Sequence, residues 1–218
     1  MRDLLKPYEK SIEAQKLCFI IGVGWMPGIS GVFSKTIIET HLNSPENTNF
    51  NIYYGAVDNW SYSSTYDLAA SSMGKTRSYV YSHGKEIQVS PFRYTHHKFF
   101  PFIGHKKICM PSFDEQLTQL ATSLKQIRKI STFIMLNDYI SMGKFMFIKI
   151  FYKHNLNKAT LMLQDDYQRL VKKENKWGSV ICQVSKIEPE RKIDTFYYLY
   201  TIIYYILHYL LLLLLNTF

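Results

Sequence analysis

The chain places four glycines and a proline in one short stretch, Gly22–Gly31, directly after the apolar run Cys18–Ile21. The residues from Val32 to Glu39 then have helical spacing. This pattern predicts a buried strand, a glycine turn and a helix whose N-cap is Ser30. Free backbone N–H groups at such a helix start suit an anionic ligand or a carbonyl group.

Three interpretations of this glycine loop stay open. A dinucleotide fingerprint needs G-x-G-x-x-G, but Pro27 stands at the sixth position and Gly28 follows one place late. Pro27 also lacks an N–H group for a phosphate. Asp58, which follows the next predicted strand, lies 30 residues after Gly28, whereas the fingerprint needs an acid after about 20. The alternatives are a structural strand-to-helix turn and a substrate-side loop of an oxidoreductase. We therefore assign the chain no cofactor-binding residue of its own.

A second group of polar side chains, Arg93, Tyr94, His96 and His97, lies in the aromatic segment 91–104, which is predicted to be a loop. An arginine grips a carboxylate through two parallel hydrogen bonds, so this group suits an acidic substrate. The alternative is a solvated loop. Neighbouring side chains of an extended segment diverge, so the adjacent histidines do not predict a metal site.

Other reactive side chains give no catalytic pattern. The paired acids Asp165 and Asp166 lie in a helical run and are predicted to form a solvated face. The sequence has no G-x-S-x-G motif and no Cys/His cluster, so it identifies no catalytic residue and no metal site. Cys18, Cys109 and Cys182 each lie in an apolar run and are predicted to be buried thiols in a reducing compartment.

Composition allows one domain with a substantial core, since the chain has 218 residues and 47% of them are hydrophobic. The net charge of +9 is uneven: residues 1–100 hold 10 basic and 8 acidic residues, and residues 101–218 hold 16 and 9. A basic half suits nucleic acid, an anionic membrane or a solvated lysine-rich surface. No RNA-binding motif of arginine and aromatic residues is present, so no nucleic-acid partner is predicted.

Hydrophobic periodicity predicts helices over residues 7–16, 30–42, 66–73 (after a polar stretch from residue 61), 113–125, 137–152 and 158–173. It predicts strands over residues 18–21, 51–57, 76–81, 86–89, 107–111, 129–135 and 177–187. Gly84 supplies the positive φ of a hairpin between the third and fourth of these strands. The expected fold is an α/β (α+β) domain spanning residues 1–190. It has a mixed, largely antiparallel sheet covered by helices, and a C-terminal apolar helix follows it.

That last helix is predicted at Thr195–Leu215, 21 residues without Asp, Glu, Lys or Arg. This length is enough to span a bilayer core of about 30 Å. Lys186, Arg191 and Lys192 precede it, which predicts a single-pass C-terminal anchor with the domain on the cytoplasmic side. The alternatives are a buried helix of a cytoplasmic protein and translated AT-rich sequence beyond a frameshift.

Five short motifs follow one another between residues 4 and 187: Gly24–Gly28 (G-x-x-P-G), polar Ser61–Thr65, Tyr81–Lys85 (Y-x-x-G-K), Phe100–Gly104 (F-P-x-x-G) and Trp177–Val180. In this order they resemble the substrate and dimerisation domain of the saccharopine dehydrogenase-like oxidoreductases. In that family an N-terminal dinucleotide domain comes first, and here it would precede residue 1.

This resemblance implies NAD(P) chemistry and a homodimer formed through the sheet. It also implies that Pro27, Gly28 and Ser30 line a substrate cleft facing the nicotinamide, and with Arg93 and His97 they are the predicted substrate-binding residues. The expected function is a partial or relic NAD(P)-linked oxidoreductase that is not competent alone, because no domain of its own holds the hydride donor. The alternative function is a non-catalytic interaction protein anchored in a membrane through residues 195–215.

Overall fold

The computed structural model of the chain describes residues 6–15, 28–41, 48–73, 78–101, 103–112, 117, 119–120, 122, 127–187 and 192–200. After a 3-10 turn, its helices are α1 (Glu9–Ala14), α2 (Ile29–His41), α3 (Tyr62–Met73), α4 (Pro91–Tyr94), α5 (Tyr139–Phe151) and α6 (Leu156–Lys173). Its strands are β1 (Thr48–Val57), β2 (Ser78–Ser82), β3 (Lys85–Val89), β4 (His96–Phe100), β5 (His105–Ser112), β6 (Ile127–Leu136), β7 (Trp177–Ile187) and β8 (Lys192–Tyr200).

The strands form one eight-stranded sheet in the order β3-β2-β6-β1-β7-β8. The hairpin β4-β5 joins the same sheet, since β5 pairs with the second half of β6. Strands β1 and β6 are parallel, with Tyr54 opposite Ile134, and the other pairs among the described strands are antiparallel. The predicted fold class, a mixed and largely antiparallel sheet covered by helices, is confirmed.

Alternation along the strands divides the core into two clusters. Even-numbered residues such as Phe50, Ile52 and Val180 pack beneath helices α2, α3, α5 and α6. Odd-numbered residues such as Tyr53 and Phe133 face the other way, and they pack with Phe100 of β4 and with the C-terminal half of α6. Successive residues of a strand face opposite sides of the sheet. In the second halves of the central strands, the side chains on both sides are apolar.

Two local predictions were wrong. The segment 91–104 is not a loop, because Pro91–Tyr94 is helical and His96–Phe100 is strand β4. Gly104 has φ of 74° in the turn that returns the chain to β5. Ser30 is not the N-cap of α2: the Gly28 carbonyl accepts from the N–H of Val32 at 3.1 Å, so Gly28 occupies that position.

The sheet extends beyond the predicted domain end at residue 190. Thr195–Tyr200, the first six residues of the predicted spanning helix, belong to β8 and pair with β7. Residues 201–215 of that prediction lie outside the described residues, as do the predicted strand Cys18–Ile21 and Pro27. Among the residues that the structure describes, no helix is long and apolar enough to cross a membrane.

Candidate functional site

The parallel strands β1 and β6 end at the same edge of the sheet, because parallel strands run in one direction. Asp58 follows β1 there, and Asn137 follows β6. Ligands of open α/β sheets commonly bind outside the carboxyl ends of such strands. We call this region the carboxyl edge, and it comprises Asp58, Lys107, Asn137, Asp138, Glu174 and Trp177.

Asp138 links the start of helix α5 to helix α6. It is the N-cap of α5, and its Oδ1 accepts from the backbone N–H of Ser141 at 2.9 Å. Arg169 donates to both carboxylate oxygens of Asp138, at 2.8 and 3.0 Å. Burial disfavours the charged form, but hydrogen bonds from Arg169 and Ser141 outweigh it and lower the pKa of Asp138 to about 2. This aspartate is therefore ionised at neutral pH.

The prediction of a solvated face at Asp165 and Asp166 was wrong for Asp166, which is only 3% exposed. Its carboxylate accepts from the Ser141 hydroxyl at 2.6 Å and forms ion pairs with Lys144 at 3.1 Å and Arg169 at 2.9 Å. Arg169 lies three residues after Asp166 on the same helix, and this spacing is the one sequence signal that pointed to the pair. Both oxygens of the Asp166 carboxylate thus have partners, and two of these partners are cations, so this residue is a poor ligand for a further cation.

Lys107 on β5 is a buried cation that sequence analysis missed. Its ammonium donates to Asn137 Oδ1 at 2.6 Å and lies 4.9 Å from the centre of the Trp177 ring. Glu174 Oε2 is more distant, at 3.4 Å. Burial lowers the pKa of Lys107 below its ordinary value, although Glu174 partly opposes this shift. Because neighbouring residues of a strand face opposite sides, one of Lys106 and Lys107 has to be buried. The sequence does not show which one, since the hydrogen bond between Lys107 and Asn137 forms only in the folded sheet.

Two hydrogen-bonding groups on β7 are unused. Trp177 Nε1 and Ser179 Oγ are buried, and neither has a partner among the described residues. The indole lies against β1 because residue 55 is glycine: a Cβ there would come within 3.3 Å of the Trp177 ring and 2.9 Å of Met135. A buried donor without a partner costs about 1–3 kcal/mol. The pair therefore offers donors to a ligand oxygen or an ordered water.

A small cleft adjoins this cluster, and Asn137 lines it together with Ser141, Asp166 and Tyr167. Within the described part of the chain, no three His, Cys, Asp or Glu side chains gather to hold a metal ion. Burial also raises the pKa of the Cys109 and Cys182 thiols to about 12, so neither is a nucleophile at neutral pH. Both thiols are buried, as predicted. The carboxyl edge is suited to binding and orienting a polar ligand.

The predicted substrate-binding residues are not brought together by the described structure. Gly28 and Ser30 begin helix α2, where Ser34 on the next turn contacts Cys182 of β7 at 3.8 Å. His97 lies on β4 and accepts or donates a hydrogen bond with Tyr139 at 2.8 Å. These residues therefore lie on different elements, although the β4-β5 hairpin does reach β7, where Gln183 Oε1 accepts from Lys98 Nζ at 2.5 Å.

Arg93 is exposed on the short helix α4, and Pro27 lies outside the described residues. The substrate-binding role of these five residues stays a prediction.

No family model matches the sequence, and no curated protein matches it. Among solved structures, the fold is similar to that of apo histidine-tagged saccharopine dehydrogenase (L-Glu forming) from Saccharomyces cerevisiae. The TM-score is 0.44 and the sequence identity is 13%. The match covers 80% of this chain and 57% of that protein.

Proposed function

We propose that the chain is the substrate-binding domain of a saccharopine dehydrogenase-like oxidoreductase, and that it binds a carboxylate of the substrate at Lys107. The observation that carries this proposal is the buried ammonium of Lys107 at the carboxyl edge. It is 2% exposed and lies 4.9 Å from the centre of the Trp177 ring, whose Nε1 has no partner among the described residues. A buried cation with local donors favours an anionic ligand group.

Of the two partners of the Lys107 ammonium, Glu174 is bound less closely than Asn137. The bond from the ammonium to Asn137 is short, but the 3.4 Å distance to Glu174 lies beyond the usual hydrogen-bond range. A substrate carboxylate would replace Glu174, which is 26% exposed and therefore able to turn into solvent. Trp177, whose ring centre lies 4.9 Å from the ammonium, would donate from Nε1 to the same ligand.

The resembling motifs support the oxidoreductase assignment through their positions. Tyr81–Lys85 forms the β2-β3 hairpin, whose turn residues His83 and Gly84 have φ of 50° and 80°. Phe100, Ile103 and Gly104 lie at the β4-β5 turn, and Trp177 begins β7. Residues at turns and strand starts fix backbone geometry. The order of these motifs along the chain therefore supports the resemblance more than their individual residue types do.

No residue of this chain is assigned to the implied cofactor, NAD(P). Its phosphates need free backbone N–H groups or unpaired cations, whereas Arg169, Lys144 and Lys176 already pair with Asp138, Asp166 and Asp58. In the proposed function the hydride donor belongs to another domain, and this chain holds and orients the substrate.

Isothermal titration of the purified full chain with saccharopine, and separately with NADPH, tests this function. Saccharopine is expected to bind saturably, and NADPH is not. Lys107→Gln should weaken saccharopine binding roughly tenfold to a hundredfold, the effect of one charge-assisted hydrogen bond. The matched control is Lys106→Gln, because Lys106 is the exposed neighbour on the same strand. Equal affinity in a folded Lys107→Gln variant would contradict the assignment.

A further inference from the structure

Helix α5 exposes a stripe of large apolar side chains. Ile140, Phe147, Ile150 and Phe151 are 54%, 39%, 64% and 66% exposed. Gly143 lies between them, and a Cβ added there would meet nothing within 4 Å. We call these five residues the α5 apolar face.

The opposite side of the same helix is buried. Ser141, Phe145 and Ile148 are the buried residues of α5, and Met142 also packs against the core. A helix that is apolar on all sides is normally covered on all sides. Here the domain covers only one side of α5. The apolar side chains of the α5 apolar face therefore have no apolar surface packed against them among the described residues.

The face is continuous and straight. At about 100° per residue its members fall within an arc of roughly 100°, on a helix about 20 Å long. The Phe147 and Phe151 rings are 4.5 Å apart and form one surface. A helix of 13 residues is too short to span a bilayer, but a helix of this length lies in the membrane interface with its apolar side among the acyl chains.

The segment that carries this face is basic. Residues 139–164 contain Lys144, Lys149, Lys153 and Lys158 and no Asp or Glu. Lys149, Lys153 and Lys158 are exposed at the C-terminal end of α5 and the start of α6. Each basic residue near an anionic lipid surface contributes about 1 kcal/mol to binding. A second copy of the chain carries the same net charge of +9, so electrostatics favour lipid over self-association.

We propose that the α5 apolar face, together with the three exposed lysines at the C-terminal end of α5 and the start of α6, binds the surface of an anionic membrane. This property is independent of the proposed substrate binding, and it uses a different part of the chain from residues 195–215.

The experiment places an environment-sensitive NBD fluorophore on the full chain through Phe151→Cys, in a Cys18→Ser background. Leu161→Cys is the matched control, since Leu161 is 53% exposed on the neighbouring helix α6. Phosphatidylserine-containing vesicles should shift the emission of the label at 151 to the blue and leave the label at 161 unchanged. Combined Lys149→Gln, Lys153→Gln and Lys158→Gln should weaken vesicle partitioning roughly a hundredfold, as should high salt in the parent chain.

Three results would overturn the proposal. An unchanged emission at 151 with anionic vesicles would show that the face does not meet lipid. An equal shift with phosphatidylcholine vesicles would remove the role of the lysines. A blue shift without vesicles that grows with protein concentration would assign the face to a second copy of the chain.

Discussion

Asp138 takes part in a network that reaches from the end of β6 to the middle of helix α6. Its carboxylate caps α5 and accepts two hydrogen bonds from Arg169, whose third bond goes to Asp166. A cation shared by two carboxylates is not available to a substrate. At the scale of single residues, the carboxyl edge therefore contains two parts. Asp138, Arg169 and Asp166 are paired with one another, whereas the buried cation Lys107 has a partner, Glu174, that a ligand could replace.

Asp138→Asn tests how much the network stabilises the fold. The pKa of Asp138 is lowered from 3.8 to about 2, so its ionised form stabilises the folded state above pH 4, and this contribution is lost as pH falls toward 2. The variant should lose about 2 kcal/mol of unfolding free energy at pH 7 and very little near pH 2. Urea unfolding at several pH values measures the difference.

Asn is also a good N-cap, so this substitution isolates the charge from the capping hydrogen bond. Asp165→Asn is the control, because Asp165 is exposed and should show no such pH dependence. A constant difference between Asp138→Asn and the parent chain across the pH range would assign the effect to packing instead.

At the scale of elements, two glycines have opposite roles. Gly55 lies where β1 passes Met135 of β6 and the Trp177 ring of β7. Gly143 lies in the open face of α5, with a helical backbone and free space around it. The first glycine is required by a close approach, whereas the second only lowers the helix propensity.

Gly55→Ala should therefore destabilise the chain by about 1–3 kcal/mol, because its Cβ would stand 2.9 Å from the Met135 carbonyl oxygen. Gly143→Ala should stabilise it by about 0.5–1 kcal/mol. Thermal and urea unfolding of the two variants beside the parent chain measure both signs. A neutral Gly55→Ala would mean that β1 and β6 move apart without cost.

The sequence predicted most of these elements, because hydrophobic spacing decides between helix and strand locally. It failed at β4, where Pro101 and the aromatic residues suggested a loop although the proline falls in the turn. It failed at Thr195–Tyr200 because a short, uniformly apolar run has no period that separates strand from helix. The site was harder still: Lys107 and Glu174 are 67 residues apart, and only the folded sheet brings them together.

At the scale of the whole molecule, the two proposed surfaces are joined by one residue. Asp138 belongs to the carboxyl edge and also caps the helix that carries the α5 apolar face. Docking of α5 in the plane of a membrane would place its N-terminus, and with it Asp138 of the carboxyl edge, close to the lipid surface. The Asp138–Arg169 pair would keep the two surfaces in a fixed relation.

The extent of the sheet gives the last prediction. Strand β8 adds backbone hydrogen bonds along β7 from Ser179 to Ile187, and without it β7 becomes an edge strand. A chain ending at Tyr200 keeps β8, and a chain ending at Asp194 loses six of its residues. The shorter chain should unfold at lower urea concentration. It should also aggregate more readily, because the backbone N–H and C=O groups along the edge of β7 would be unpaired. Urea unfolding and light scattering of the two truncated chains beside the full chain measure this. If the chains ending at 194 and 200 are equally stable, pairing of β8 contributes nothing to the fold.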